Sequence, residues 1–154
     1  EARLHDLFEL ISASAPMNNP FIEVHGRQVP VKKISRSAAW FDFDELCGGI
    51  HAQEDYLVIA HRFPTIFLSH IPRLRMEQTA ETRRFTWLID VLYDNHVRLI
   101  ASAATSPEKI AAESTISAEF SRTISRLSEM QTQHYLLLQH CSQNVRLSVN
   151  VASE

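Results

Sequence analysis

Glycine is scarce, three in 154 residues, and two of them are the adjacent Gly48 and Gly49. Neither a GxxxxGKS/T loop nor a GxGxxG loop occurs in the chain. The backbone N–H cradle that usually grips nucleotide phosphates is therefore missing from these residues. Cysteine is nearly absent too. Cys47 and Cys141 lie far apart and form no CxxC pair, which argues against a disulfide framework or a structural zinc and fits a reducing compartment. No apolar run approaches the length that spans a bilayer. A formal net charge of -3 argues against a broad basic surface, which leaves room for local basic patches only, and no nucleic-acid partner is expected. The eight histidines include no HExxH and no i, i+4 pair, and no serine sits in a GxSxG elbow.

What is present is ordinary globular material. Hydrophobic residues make up 45% and charged residues 21%, in a chain long enough for one domain with a real core. It starts at Glu1, with no initiator methionine or targeting segment, and so reads as a piece of a longer protein.

Periodicity then divides the chain. In 1–20, "RLHDLFELI" sets Leu4, Leu7, Phe8 and Ile11 at helical spacing, and the Pro- and Asn-rich "SASAPMNNP" reads as a loop. In 21–34, two short apolar runs around His25-Gly26-Arg27 read as a β-hairpin, with Pro30 sending its second strand to an edge. Strands and helices alternate over 38–140. "AAWFDFDEL" reads as a strand, "QEDYLVIAHRF" as a helix and "TIFLSHI" as a buried strand. "ETRRFTWLIDVLYDNH" is an amphipathic helix with Phe85, Leu88, Ile89 and Leu92 inward, and "VRLIASA" another buried strand. A long C-terminal helix, "FSRTISRLSEMQTQHYL", follows with Phe120, Ile124 and Leu127 inward. The fold class is α/β, a mostly parallel sheet covered by helices. Ile66, Phe67, Leu68, Leu99 and Ile100 are expected in adjacent buried strands, with Leu88 and Leu92 over them. In 141–154, Val145, Leu147, Val149 and Val151 alternate with polar residues, as in an edge strand; a frayed tail is the other reading.

Several residues invite chemistry. Asp42 and Asp44 would share one side of a strand, as metal ligands or an acid–base pair, although a solvated strand end is commoner. His61 and His70 flank a strand, where plain surface positions are the usual outcome. Ser102 falls at the C-terminal end of a parallel strand, the edge at which open α/β sheets bind ligands. Arg83, Trp87 and Asp90 share a helical stripe, with Arg83 stacking on Trp87 or pairing with Asp90. Arg122 and Arg126, four apart on one helix face, either pair locally with Glu119 and Glu129 or reach an anion outside this chain.

Five stretches, in order, carry a resemblance: "HGRQVPV", "FDFDELC", "DYLVIAHRFPTIFLSHIPRL", "RRFTWLIDVLYDNHVRLIASA" and "FSRTISRLSEMQTQHYL". Together they resemble the C-terminal portion of the ZapE family of AAA+ ATPases, which includes a bacterial cell-division ATPase and mitochondrial relatives linked to protein quality control. The resemblance covers roughly residues 21–136 and lies closer to the bacterial branch, which implies a bacterial cytoplasmic location ahead of a mitochondrial one. It implies that 1–140 is the C-terminal α/β region of an ATPase that uses ATP and magnesium, with the Walker motifs N-terminal to the matched portion. The implied partners are the protein's own N-terminal ATPase core, further copies in a homo-oligomeric ring, and a cell-division or client protein, with membrane contact only through such partners. Arg122 and Arg126 fall on the family block "RTxSRLxEMQ" and are the candidate phosphate-contacting residues. The competing function is a non-enzymatic interaction domain that packs on an ATPase core or recruits a partner.

Overall fold

A computed structural model describes residues 2–12, 21–75, 77–110 and 117–137. The loop through Pro16–Pro20 and the alternating stretch Val145–Val151 lie outside the described residues.

The chain opens with α1 (Ala2–Ile11), whose apolar stripe buries Leu4 and Phe8. It leads to a hairpin of β1 (Phe21–Val24) and β2 (Arg27–Pro30), paired antiparallel from Phe21↔Pro30 to Val24↔Arg27. The connecting residues His25 (φ 49°) and Gly26 (φ 77°) both have positive φ, the type I′ geometry whose twist suits a two-residue hairpin. Pro30 closes the pairing at the hairpin's open end, where a missing N–H is harmless. Lys33–Ile34 (β3) has already left the hairpin and pairs with the next strand.

That strand, β4 (Ala38–Asp42), belongs to a four-stranded sheet ordered β3-β4-β5-β6, with β5 at Thr65–Ile71 and β6 at Arg98–Ala103. β4, β5 and β6 run parallel and β3 runs antiparallel to β4. Helices cover both faces, as the sequence leads one to expect of a parallel sheet. On one face α1 caps Ala38, Trp40 and Phe67, with Phe8 and Phe67 edge-to-face at 5.1 Å. The other face (Ala39, Phe41, Ile66, Leu68) holds the main core under the remaining helices. Alternation along β5 thus sends Phe67 to α1 and its neighbours Ile66 and Leu68 to the opposite side.

Three expectations need correcting. The stretch "AAWFDFDEL" is not one strand. It ends at Asp42, and Phe43–Cys47 forms a short helix, α2. Phe43, Leu46 and Cys47 bury one helical face at i, i+3, i+4 spacing, while Asp44 and Glu45 occupy the first turn, where the helix dipole favours acids. Asp42 and Asp44 therefore do not share a strand face. Second, "VRLIASA" is not buried throughout. Val97 is, but among the described residues β6 ends the sheet, and its Leu99 and Ile100 are only half covered. Third, the C-terminal helix is interrupted. Ser117–Met130 (α5) stops, and Gln133–Leu137 (α6) starts anew. Thr132 is the reason. Its hydroxyl donates back to the Glu129 carbonyl at 2.7 Å and accepts the Tyr135 N–H at 3.3 Å, so its side chain competes with helical continuation.

The remaining elements meet the expectation. α3 (Gln53–Arg62) begins with the Asp55 carboxylate accepting the Ala52 N–H at 3.1 Å, and its Tyr56 hydroxyl donates to the Leu46 carbonyl at 2.8 Å. α4 (Thr79–Asp94) buries Phe85, Leu88, Ile89 and Leu92 completely. Burial against these elements pushes the Cys47 thiol up to about 12. In native buffer at pH 8, iodoacetamide should leave Cys47 unmodified, and denaturant should release it; rapid native labelling would place the side chain at the surface.

Candidate functional site

α5 projects its arginines sideways because Phe120, Thr123, Leu127 and Met130 take the buried face. Arg122 and Arg126 then lie on the flank turned to α4, and both meet Asp90. Arg126 Nη1 donates to Asp90 Oδ1, while Arg122 Nη2 reaches Asp90 Oδ2 at 3.5 Å. The guanidinium of Arg126 also lies 4.9 Å over the ring of Tyr93, a cation–π contact one turn further along α4. The two arginines differ in freedom. Arg122 is 60% exposed against 23% for Arg126, and Asp90 is 16% exposed. Arg126 is fixed; Arg122 is tethered at a long distance and open to solvent.

The local acids do not divide as the sequence suggests. Glu129 accepts the hydroxyl of Tyr93, a bond that raises the Tyr93 pKa because it favours the protonated phenol. The side chain of Glu119 lies outside what the structure describes. Asp90 goes to α5 and not to Arg83, from which seven residues (about 10 Å along a helix) separate it. Tyr93 escaped the sequence reading, although its place three residues after Asp90 on the same helix was the available signal.

A second grouping forms at the C-terminal ends of the parallel strands. Asp42 closes β4, His70 sits near the end of β5, and Ser102 lies on β6. The Asp42 carboxylate faces His70 Nδ1 at 2.6 Å, and Ser102 Oγ accepts the His70 backbone N–H at 3.1 Å. The three residues meet, but not as a nucleophile relay: serine contacts the main chain of His70 and not its ring. Asp44 stands apart on α2, and His61 contacts Asn95 Oδ1 at 3.1 Å on the outer surface. Among the described residues no three His, Cys, Asp or Glu side chains gather as a metal site. No helix of the described residues is long and apolar enough to cross a membrane.

The sequence model of the AFG1-like ATPase family matches residues 1–139. The chain belongs to that family. Cell division protein ZapE of Escherichia coli is 30% identical over 139 residues, covering 90% of this chain and 37% of that protein. An uncharacterized protein of Schizosaccharomyces pombe is 34% identical over 149 residues, covering 79% of this chain and 33% of its own length. Lactation elevated protein 1 homolog B of Danio rerio is 29% identical over 146 residues, covering 74% and 29% respectively. No solved structure matches the chain. The chain thus spans about a third of the length of the curated relatives it matches. In this member of the AFG1-like ATPase family the block "RRFTWLID" lies on α4 and "RTISRL" on α5. The contacts of Arg122 and Arg126 with Asp90 tie these two blocks together.

Proposed function

We propose that this chain is the C-terminal region of an ATP- and magnesium-dependent ATPase that acts in bacterial cell division or protein quality control, in the cytoplasm and as a homo-oligomer. Within it, Arg122 reaches the nucleotide phosphates, in its own subunit or a neighbouring one, while Arg126 holds α5 against α4. The observation that carries the reading is the asymmetry of the pair. Both arginines fall on one carboxylate, yet Arg122 keeps most of its surface in solvent and meets Asp90 only at 3.5 Å. A guanidinium so placed can turn to an incoming anion at little cost, because exposed ion pairs are worth at most about 1 kcal/mol. Its planar fork suits charge building on a transferring phosphoryl group.

Residues present here fit one part of a nucleotide site, the cationic contact. The phosphate loop and its lysine would come from the ATPase core that precedes this region in the full-length protein. When bound, ATP with magnesium supplies the phosphoryl group and the charge that the arginine answers. Half-covered β6, with Leu99 and Ile100 on the strand that ends the sheet among the described residues, supports packing against that core. By calorimetry the 154-residue chain alone is expected to show no micromolar binding of ATP with magnesium, whereas the full-length protein binds. Micromolar binding by the chain alone would require a phosphate site that the reading does not contain.

A further inference from the structure

We propose that the C-terminal ends of β5 and β6 form an anion site for a small phosphate-bearing molecule, built around Ser102, Arg73 and Arg75. It is independent of the Arg122 reading: Asp90, which Arg122 meets, lies three turns along α4 from the end of that helix nearest this site.

Two contiguous depressions carry the inference. One, of about 400 Å³, is lined by His70, Pro72, Ser102 and Ala104 among others. The next, of about 430 Å³, shares Pro72 and Ala104 with it and adds Arg73 and Arg75. They open where ligands enter open α/β sheets, outside the carboxyl ends of the parallel strands. Among the described residues, no hydrogen bond or ion pair occupies either guanidinium, although Glu77 lines the same hollow. Arg73 and Arg75 stand at alternate positions either side of buried Leu74, and both line this one hollow.

The backbone here is irregular. His70 has φ 62°, in the left-handed region, and the β5–β6 register shifts between Leu68 and Ile71. Such irregularities re-aim side chains at strand ends. Ser102 Oγ fixes the irregularity by accepting the His70 N–H, and its own hydroxyl proton finds no acceptor among the described residues. The hydroxyl lines one hollow and the two guanidinium forks the other, a donor set spread over both that suits the several acceptors and higher charge of a phosphate better than a carboxylate.

The test is equilibrium dialysis of full-length protein with labelled inorganic phosphate, under saturating non-hydrolysable ATP analogue and magnesium so that a nucleotide site is already filled. The parent should hold one phosphate per subunit, with a Kd below about 1 mM. Arg73→Gln/Arg75→Gln should weaken it at least tenfold and Ser102→Ala several-fold, while Arg122→Ala leaves it unchanged. Circular dichroism checks that each variant is folded; if the double variant fails, each single Arg→Gln variant should still show the weakening. Absence of saturable binding, equal competition by acetate, or retention in the arginine variants would each overturn the site.

Discussion

If the proposed ATPase reading holds, Arg122→Ala in the full-length protein is expected to lower steady-state ATP turnover by roughly 10³–10⁵-fold, the range over which a phosphate-contacting arginine acts. Fold and assembly should survive, because the side chain is 60% exposed and its link to Asp90 is 3.5 Å long. Removing such a pair costs well under about 1 kcal/mol. Arg126→Ala should behave differently. That side chain bonds Asp90 and covers the ring of Tyr93, so its loss loosens the polar flank between α5 and α4 and should lower stability more than Arg122→Ala does. Any effect of Arg126→Ala on turnover should then be recovered in part by Arg126→Lys, which keeps a cation over Tyr93. Steady-state ATPase assays, with oligomeric state checked by light scattering, separate the roles. A folded, assembled Arg122→Ala protein that keeps turnover within about threefold of the parent would leave Arg122 with Asp90 as a structural contact only.

Leu88→Ala is expected to cost about 2–5 kcal/mol. Leu88 is fully buried in the main core on the inner face of α4. The cavity left by its side chain is closed in by sheet and helices and has little freedom to collapse. Leu99→Ala on the half-covered edge strand is the internal control, since part of the lost surface was already in water. It should cost distinctly less in urea denaturation of the chain. Equal losses for the two variants would mean that β6 is covered more fully than the sheet edge implies.

Much of this fold is legible in the sequence because its strongest signals are periodic. Leu4 and Phe8 mark α1, Phe85 to Leu92 mark α4, and "TIFLSHI" reads as a buried strand from its short length and its β-branched and aromatic residues. The hairpin is legible from His25-Gly26 between two apolar runs. The errors have a common physical origin: a short apolar run has the same composition in a strand, a helix turn or an edge. "FDFDEL" alternates like a strand, yet Phe43, Leu46 and Cys47 satisfy helical spacing equally well, and packing decides between them. "VRLIASA" is apolar enough to be central, but strand order is a tertiary property. The break at Thr132 depends on one hydroxyl choosing the Glu129 carbonyl. At the candidate site, four-residue spacing placed Arg122 and Arg126 on one face correctly. Their shared partner Asp90, 32 and 36 residues back along the chain, could not be found from spacing, and local acids such as Glu129 were the natural but wrong choice. The meeting of Asp42, His70 and Ser102 likewise needed the parallel register of three strands.

The most direct measurement is a cryo-electron microscopy structure of the full-length protein with magnesium and a phosphoryl-transfer transition-state analogue of ATP. The account predicts the Arg122 guanidinium turned away from Asp90 and within hydrogen-bond distance, about 3 Å, of the terminal phosphoryl group. Arg126 should remain on Asp90. A well-resolved nucleotide whose phosphates are met by other cations, with Arg122 still resting on Asp90, would contradict it.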